Sequence, residues 1–404
     1  MIQQHTQKEL VQIKKLHRYS YIDILRGIAI LGVVAVHSGQ SVNDLNIIVA
    51  WVFNYGQTGV QLFFVASAIT LCLSSAQRNE KLSINFFIRR FFRIAPLFYL
   101  AILFYFLWRV CIEYYKFGVI VIPNNYSIHG VIETIFFVHG FDPRNFNFVV
   151  PGGWSIATEM TFYVIFPILF FLQKKYRKSK FIIFSVSIFF LCLLIKNFLI
   201  YDLQPVFIEN GYIKKLVLEY DFLNTSILNQ IIVFLIGIIS YQYIYGEGKL
   251  SDYIKRTTPL AIPLIIVSCF MLNSQSYQRT PFTGLIYLAI LGIAFALISI
   301  KLSTITEFTG RVSKLLIEVG KLSYSMYLIH FFIIDVVELI FSKSINHYIQ
   351  IPEIQLVIMY SAVLVLTFFI SKLTYKHIEK KGIILGKNLI VKLNSKRVET
   401  IKPA

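Results

Sequence analysis

The sequence contains few charged residues for its length. Only 15% of its 404 residues are Asp, Glu, Lys or Arg, whereas 56% are hydrophobic. Soluble domains usually carry about 25% charged residues. This shortage of charge excludes a soluble globular protein and predicts an integral membrane protein with an all-α fold.

Cysteine and acidic residues are scarce as well. The four cysteines lie in or beside apolar segments without CxxC spacing, which predicts packed free thiols and no metal site. The chain contains only 21 acidic residues but 39 Lys and Arg, which gives a net charge of +18. In a soluble protein this excess would suggest nucleic-acid binding. In a membrane protein, cytoplasmic loops accumulate Lys and Arg, so we expect no nucleic-acid partner.

Ten apolar runs approach the length of about 20 residues that a spanning helix needs. They are 21–38, 58–75, 94–112, 155–172, 181–200, 227–245, 259–273, 283–300, 322–342 and 355–376. The run 259–273 is the weakest, because it is short and contains two prolines. The apolar segment 128–140 is too short to span. No signal for cleavage follows the first run, so we expect the first helix to be retained.

The basic residues predict the orientation of these spans. Ten crossings place 28 Lys and Arg in the connecting segments on the side of the termini and 6 on the opposite side. Cytoplasmic segments carry such an excess, so both termini are predicted to be cytoplasmic. The chain then divides into a cytoplasmic segment 1–20, a transmembrane domain 21–376 and a basic cytoplasmic tail 377–404.

Two ionisable residues, which are energetically unfavourable in hydrocarbon, lie within the first predicted span. Arg26 and His37 are eleven residues apart, about 1,100° around a helix, so both lie on one stripe, roughly 16 Å apart along the axis. Ionisable residues in hydrocarbon indicate a functional site. An arginine that extends to the interface and a histidine that packs between helices are the alternative.

Glu159 lies about five residues into the fourth predicted span, after Trp154. The predicted orientation gives it the same depth as His37. A carboxylate beside an imidazole fixes its tautomer and raises its basicity, so this pair would form a general base. A helix-bridging ion pair is the structural alternative.

The sequence Arg89-Arg90-Phe-Phe-Arg93 stands at the cytoplasmic edge of the third span. Arg90 and Arg93 are one turn apart, and arginine forks suit phosphate groups. They could equally anchor the helix at the membrane surface. Together with Arg26 they describe a site for coenzyme A, with the phosphates at the cytoplasmic face and the pantetheine arm directed toward His37.

The ninth predicted span contributes a further polar motif. Ser323, Tyr324 and Tyr327 could hydrogen-bond between helices, whereas His330, near mid-membrane, could be a packing residue or a functional one.

These motifs together resemble the acyltransferase-3 family of membrane acyltransferases over roughly residues 20 to 376. Arg26 to His37 looks like the Arg-x10-His signature of the family, and Arg90-x-x-Arg93 like its arginine motif. Trp154 to Pro167 is similar to its Trp-Ser…Glu…Phe-Tyr…Pro segment. Ser323-Tyr324 through His330 is similar to its Ser-Tyr…His segment.

The resemblance implies an acetyl-CoA-dependent O-acetyltransferase in the bacterial cytoplasmic (inner) membrane. Its acceptor would be a hydroxyl of a surface polysaccharide, such as O-antigen of lipopolysaccharide or capsule, or of a lipid-linked precursor. His37, supported by Glu159, would deprotonate the acceptor or carry the acyl group, and Arg26 would line the donor channel. A peptidoglycan or lipid acceptor stays open.

The second predicted span departs from the family pattern, because Gln61 stands where relatives often have Asp. Some relatives carry a fused hydrolase-like domain, and we expect none here. A transporter of glycan or lipid intermediates is the rival function, since embedded polar residues also mark transport paths. No inverted repeat typical of transporters is evident. The pattern does not predict an oligomeric state.

Overall fold

The structure is a computed structural model. It describes residues 2–78, 84–120, 122–123, 126–211, 222–246, 249–274, 280–344 and 348–399. Residue 1 of the predicted N-terminal segment and residues 400–404 of the predicted tail therefore lie outside the described residues.

Helices account for the architecture of the described chain. They are α1 Ile2–Gly39, α2 Ile47–Tyr55, α3 Gly59–Gln77, α4 Ile84–Phe117, α5 Ile128–Ile135, α6 Gly153–Lys175, α7 Lys178–Asn197, α8 Gln204–Glu209, α9 Leu223–Thr225, α10 Ile227–Ile244, α11 Lys249–Arg256, α12 Ala261–Asn273, α13 Pro281–Ser303, α14 Arg311–Ser344, α15 Pro352–Thr374 and α16 Lys380–Glu399. The predicted all-α fold is confirmed for this part of the chain.

Nine helical stretches within the described ranges are long and apolar enough to cross a membrane. They correspond to nine of the ten predicted runs. The remaining run forms the shorter apolar stretch Thr258–Asn273, which ends in α12. Its 16 residues would measure about 24 Å, less than the hydrocarbon core of about 30 Å. As predicted, the segment around α5 is too short to span as a helix.

Close backbone packing joins α1 to α14. A Cβ placed on Gly27 would overlap the backbone oxygen of Leu316, and one on Gly320 would overlap that of Asp23. Small residues allow this approach, and it is the usual way in which membrane helices gain van der Waals contact. The contact fixes the face of α1 that carries Arg26 against the helix that carries Ser323 and Tyr324.

Helix α3 lies at the centre of the bundle, in contact with α1, α6, α10 and α13. Nearly all of its residues are buried, including the polar Gln61, Ser67 and Thr70. A buried polar side chain needs a hydrogen-bond partner, so these three residues are directed toward polar groups of neighbouring helices.

The predicted boundary at residue 376 falls inside a helix. α15 continues through the π-helical turn Tyr375–Glu379 into α16. Gly382 and Gly386 of α16 lie against Phe92 of α4, and Gly382 also contacts Pro96. Much of the predicted tail therefore packs on the transmembrane helices, beside the turn that carries Arg90 and Arg93.

Candidate functional site

Five helices line a narrow cavity of about 70 Å³, which we call the inner cavity. They are α1, α3, α4, α6 and α14. Its polar lining consists of Arg26, Ser67, Thr70, Arg90, Arg93, Ser155, Glu159, Tyr163, Ser323, Tyr324 and Tyr327. The structure thus brings six of the predicted site residues together in one place. They are Arg26, Arg90, Arg93, Glu159, Ser323 and Tyr324.

Arg90 is held firmly beside the inner cavity. One guanidinium nitrogen donates to Ser74 Oγ at 2.8 Å, and the group lies 5.6 Å from the ring of Phe86 and 5.8 Å from that of Tyr163. Its buried Nε atom has no hydrogen-bond partner among the described residues. A buried donor without a partner is unfavourable, which makes this position suitable for an anionic ligand.

Arg26 reaches the same cavity from α1. Its guanidinium donates to Thr70 Oγ1 at 3.0 Å and forms an ion pair of 3.7 Å with Asp23, one turn earlier. Arg89, in contrast, is absent from the lining of the inner cavity. Of the three arginines predicted to bind coenzyme A, Arg90 and Arg93 therefore line the inner cavity and Arg89 does not.

Glu159 faces the arginines. It accepts hydrogen bonds from Ser67 Oγ at 2.6 Å and from the Tyr163 hydroxyl. The lining of the inner cavity carries three guanidinium groups against this single carboxylate. The excess of positive charge in a partly desolvated space favours an anion.

A second, wider cavity of about 580 Å³ contains His37, and we call it the outer cavity. His37 Nδ1 donates to Gln40 Oε1 at 3.0 Å, which leaves Nε2 with its lone pair. The His37 ring packs 4.5 Å from that of Phe331. Trp154 also lines this cavity, and its ring contacts Phe64 edge-on.

The predicted contact between His37 and Glu159 is wrong. His37 lines the outer cavity and Glu159 the inner one, and their hydrogen-bond partners differ. Trp154 is the residue of α6 that lines the outer cavity together with His37. Glu159 is five residues further along α6, or about 7.5 Å along the helix axis, and lines the inner cavity together with Arg26.

The two cavities adjoin at Tyr327 and Val60, which line both. The Tyr327 hydroxyl donates to the Gly152 carbonyl at 3.0 Å and accepts from Ser155 Oγ at 2.8 Å. Gly152 precedes α6 with a φ of +74°, and a Cβ there would lie 2.8 Å from this hydroxyl. The predicted interhelical role of Tyr327 is confirmed, and it fixes the start of α6 between the cavities.

His330 lies behind His37, with 5.4 Å between the ring centroids. Its Nδ1 donates to the Tyr327 carbonyl at 2.7 Å, whereas its Nε2 is buried without a partner in the described chain. The Tyr324 hydroxyl donates to the Ile94 carbonyl at 2.7 Å, which ties α14 to α4. Ser323 is buried in the wall of the inner cavity.

Sequence reasoning missed several polar residues of the site. Ser67, Thr70 and Tyr163 hold the charged groups of the inner cavity, and Glu379 accepts from Ser325 Oγ at 3.0 Å within the bundle. A search for charged residues within the predicted spans does not find neutral hydroxyl groups. The spacing of Glu159 and Tyr163, one helical turn apart, was the available signal.

Ionisable residues also cluster outside the spanning helices. The ligand atoms of His129, Glu133 and Asp142 lie within 4.8 Å of one another, away from both cavities. Burial raises the pKa of the Asp142 carboxyl, but the hydrogen bonds and charge of Arg144 outweigh it and keep this pKa below its usual value. The buried His139 has a lowered pKa because of its desolvation.

Comparison with known proteins identifies the relatives of the chain. The family described as "Acyltransferase domain" (Acyl_transf_3) matches residues 19–376. A protein of Staphylococcus aureus strain COL named "Putative O-acetyltransferase" is 26% identical, covering 93% of this chain and 60% of that protein. The peptidoglycan O-acetyltransferase OatA of Listeria monocytogenes is also 26% identical, covering 91% of this chain and 57% of that protein.

The O-acetyltransferase OatA of S. aureus strain NCTC 8325 is 25% identical, covering 93% of this chain. The chain spans about 60% of the length of these curated relatives. No solved structure matches it. The family match extends over most of the sequence and contains every residue described above in the two cavities, so the chain belongs to the acyltransferase-3 family.

Proposed function

We propose that the protein is a membrane O-acetyltransferase. It transfers an acetyl group from acetyl-CoA on the cytoplasmic side to a hydroxyl of a cell-envelope glycan on the other side. The observation that carries this proposal is the arrangement of two cavities in series, one with a cationic lining and one containing His37, that adjoin at Tyr327. A transferase acting across a membrane needs separate entry for its two substrates and a meeting point between them.

The inner cavity suits the donor. Coenzyme A is anionic and carries a long flexible arm, and the lining offers Arg26, Arg90 and Arg93 against one carboxylate. The Arg90 Nε without a partner could bind a phosphate oxygen. Glu159 keeps Ser67 and Tyr163 in position along the path of the arm and is a positioning residue in this proposal.

The outer cavity suits the acceptor, with His37 Nε2 as the reactive atom. As a general base, Nε2 takes the proton of the acceptor hydroxyl while its oxygen attacks the thioester carbonyl. The C–S bond then breaks, and the thiolate recovers the proton from the imidazolium. Alternatively, Nε2 attacks the carbonyl first and coenzyme A leaves as its thiolate. The acceptor oxygen then takes the acetyl group from the imidazole, and the proton of the acceptor hydroxyl neutralises the thiolate.

The acceptor is a cell-envelope polysaccharide or its lipid-linked precursor. The name of the Listeria relative favours peptidoglycan over O-antigen or capsule within this class. Transport of glycan intermediates is less well supported, because the relatives named above are O-acetyltransferases by name and nothing in their names points to transport.

The proposed arrangement has ten crossings in a bacterial cytoplasmic membrane, with α12 as the short crossing and residues 1–20 and 377–404 in the cytoplasm. The excess of Lys and Arg at this side supports it. The arginines of the inner cavity then lie nearer the cytoplasm, where acetyl-CoA is available.

The test measures transfer of labelled acetyl groups from acetyl-CoA to envelope glycan in membrane vesicles. We expect His37→Ala to lower the rate by about 10²–10⁴-fold, the usual contribution of a catalytic acid or base. The exposed His377 is the matched control, and His377→Ala should retain the parental rate. Normal acetyl transfer by a well-expressed His37→Ala protein would contradict the proposal.

The two mechanisms are separated by omitting the acceptor. Protein incubated with acetyl-CoA alone is digested, and its peptides are analysed by mass spectrometry. An acetyl adduct on His37 supports the covalent route. A protein that transfers acetyl groups but yields no such adduct under rapid quenching supports the general base.

A further inference from the structure

One wall of the outer cavity is built from carboxamides. Gln61 of α3 donates through Nε2 to Gln230 Oε1 at 3.2 Å. Gln230 donates to the Asn224 carbonyl at 2.7 Å, and Asn229 donates to Asn224 Oδ1 at 3.2 Å. All four residues line the cavity, and we call them the amide chain.

The amide chain ends at a buried cation. Lys196 of α7 is only 2% exposed, and its Nζ donates to Asn229 Oδ1 at 2.8 Å. No carboxylate pairs with it in the described part of the protein. Burying an ammonium group without a counter-charge costs several kcal/mol, so it is a poor way to stabilise a bundle. Lys196 also lies outside the lining of both cavities, and the transfer mechanism does not use it.

The bond from Lys196 determines how Asn229 is oriented. An ammonium group only donates, so it must face the amide oxygen and never the amide nitrogen. The NH₂ group of Asn229 is thereby turned toward the side chain of Asn224. The backbone carbonyl of Asn224 separately accepts from Gln230 Nε2, which turns Gln230 Oε1 toward Gln61. Within the described part of the chain, Gln61 keeps an amide oxygen without a partner at the wall of the cavity.

The chemistry of this wall defines its ligand. Carboxamides both donate and accept, which matches sugar hydroxyls. Trp154, Phe148 and Tyr287 add aromatic surface to the same cavity. Among the residues that the structure describes, the lining contains no carboxylate, and Arg109 is its one residue with a fixed charge. A hydroxyl-rich sugar fits this lining, whereas a sugar with a free ammonium group would meet Arg109 and no carboxylate within the described lining.

We propose that the amide chain is the subsite for the acceptor sugar, and that Lys196 is a positioning residue that acts through Asn229. This inference rests on the proposed function, because it identifies the class of acceptor for the same transfer. The inference goes beyond the proposed function because it assigns the specificity for sugar hydroxyls to neutral amides and to a lysine of α7 that lies outside the cavity lining.

The experiment measures acetyl transfer with the full-length protein in vesicles. The probe is envelope glycan isolated from a strain of the source bacterium that lacks this protein, supplied at graded concentrations. We expect Gln61→Met and Lys196→Met each to raise the KM for this glycan roughly tenfold, equivalent to about 1.4 kcal/mol. The KM for acetyl-CoA should stay at the parental value. Lys196→Met should add little in an Asn229→Leu background, since both changes disrupt one interaction.

Gln242→Leu is the matched control. Gln242 is a buried amide of α10, the helix that also carries Asn229 and Gln230, but it lies outside the cavity lining. It should keep the parental KM for glycan. If the parent protein transfers acetyl groups and both test variants keep its KM for glycan, the inference is overturned and the proposed function stands. If the Lys196→Met protein does not accumulate in the membrane, the KM of Gln61→Met for glycan alone decides whether the inference holds. A parent protein that transfers no acetyl group refutes the proposed function itself.

Discussion

Tyr327 is the residue at which the geometry of the two cavities is set. Its side chain lines both of them, and its hydroxyl donates to the Gly152 carbonyl at the turn from which α6 begins. Trp154 and Glu159 follow on that helix, one in each cavity. A shift of this turn would therefore move the walls of both cavities together.

We expect Tyr327→Phe to impair transfer more than stability. In the variant, Ser155 Oγ can donate instead to the Gly152 carbonyl, 3.0 Å away, so no buried group loses its last partner and the free energy of unfolding should fall by only about 0.5–1.5 kcal/mol. The rate of acetyl transfer should fall roughly tenfold as the start of α6 loosens, a change of about 1.4 kcal/mol in the barrier. Thermal unfolding and the transfer assay measure the two effects.

Tyr105→Phe is the control for this change. The Tyr105 hydroxyl is also buried and donates to a backbone carbonyl, that of Leu328, but it lines neither cavity. It should cost similar stability and leave the rate unchanged. Equal rate losses in the two variants would contradict a special role for Tyr327.

At the scale of helices, the contact between α1 and α14 matters most for the inner cavity. Gly320 lies directly against the backbone of Asp23, and Asp23 is the ion-pair partner of Arg26. A methyl group at position 320 must push α1 away, and overpacking of this kind usually costs about 1–3 kcal/mol. We expect Gly320→Ala to lower the melting temperature and to raise the KM for acetyl-CoA.

Gly310→Ala provides the comparison, because a Cβ there meets no atom closer than 3.5 Å. Its melting temperature and KM for acetyl-CoA should match those of the parent. If Gly320→Ala behaves in the same way, the two helices are not packed as tightly as described here.

The sequence predicts what is local to each helix and fails where two helices must be aligned. Apolar runs predict nine spanning stretches, because the length of a run is a property of one segment. The depth of Glu159 relative to His37 depends on where α6 starts, which is fixed by the Gly152 turn and Tyr327. An error of a few residues there moves a side chain by several ångströms, and the predicted pair is lost.

Two other features escaped the sequence for related reasons. α16 carries many basic residues and looks like a solvated tail, yet Gly382 and Gly386 allow it to approach Phe92. The four residues of the amide chain are uncharged, and only their neighbour Lys196 carries a charge. A search of the sequence for charged residues within spans therefore does not find Asn229 and Gln230. Both features depend on contacts between segments far apart in sequence.

At the scale of the whole molecule, the number of crossings decides the side on which the arginines lie. If Thr258–Asn273 crosses, the bundle has ten spans and both termini share a side; without it, nine spans separate them. A stretch of about 24 Å can cross if the bilayer thins locally, at a cost of fractions of a kcal/mol per Å. The bias of 28 to 6 basic residues favours ten spans.

Reporter fusions to truncated chains test this count. We expect a fusion after residue 246 to report the cytoplasm and a fusion after residue 282 to report the opposite side, because α12 separates them. A fusion after residue 310 should return to the cytoplasm, as should both termini of the full chain. Fusions after residues 39 and 175, which flank spans of 20 residues or more, calibrate the two signals. If the fusions after residues 246 and 282 report the same side, α12 does not cross. The orientation proposed for the inner cavity would then rest on α1, α3, α4 and α6 alone.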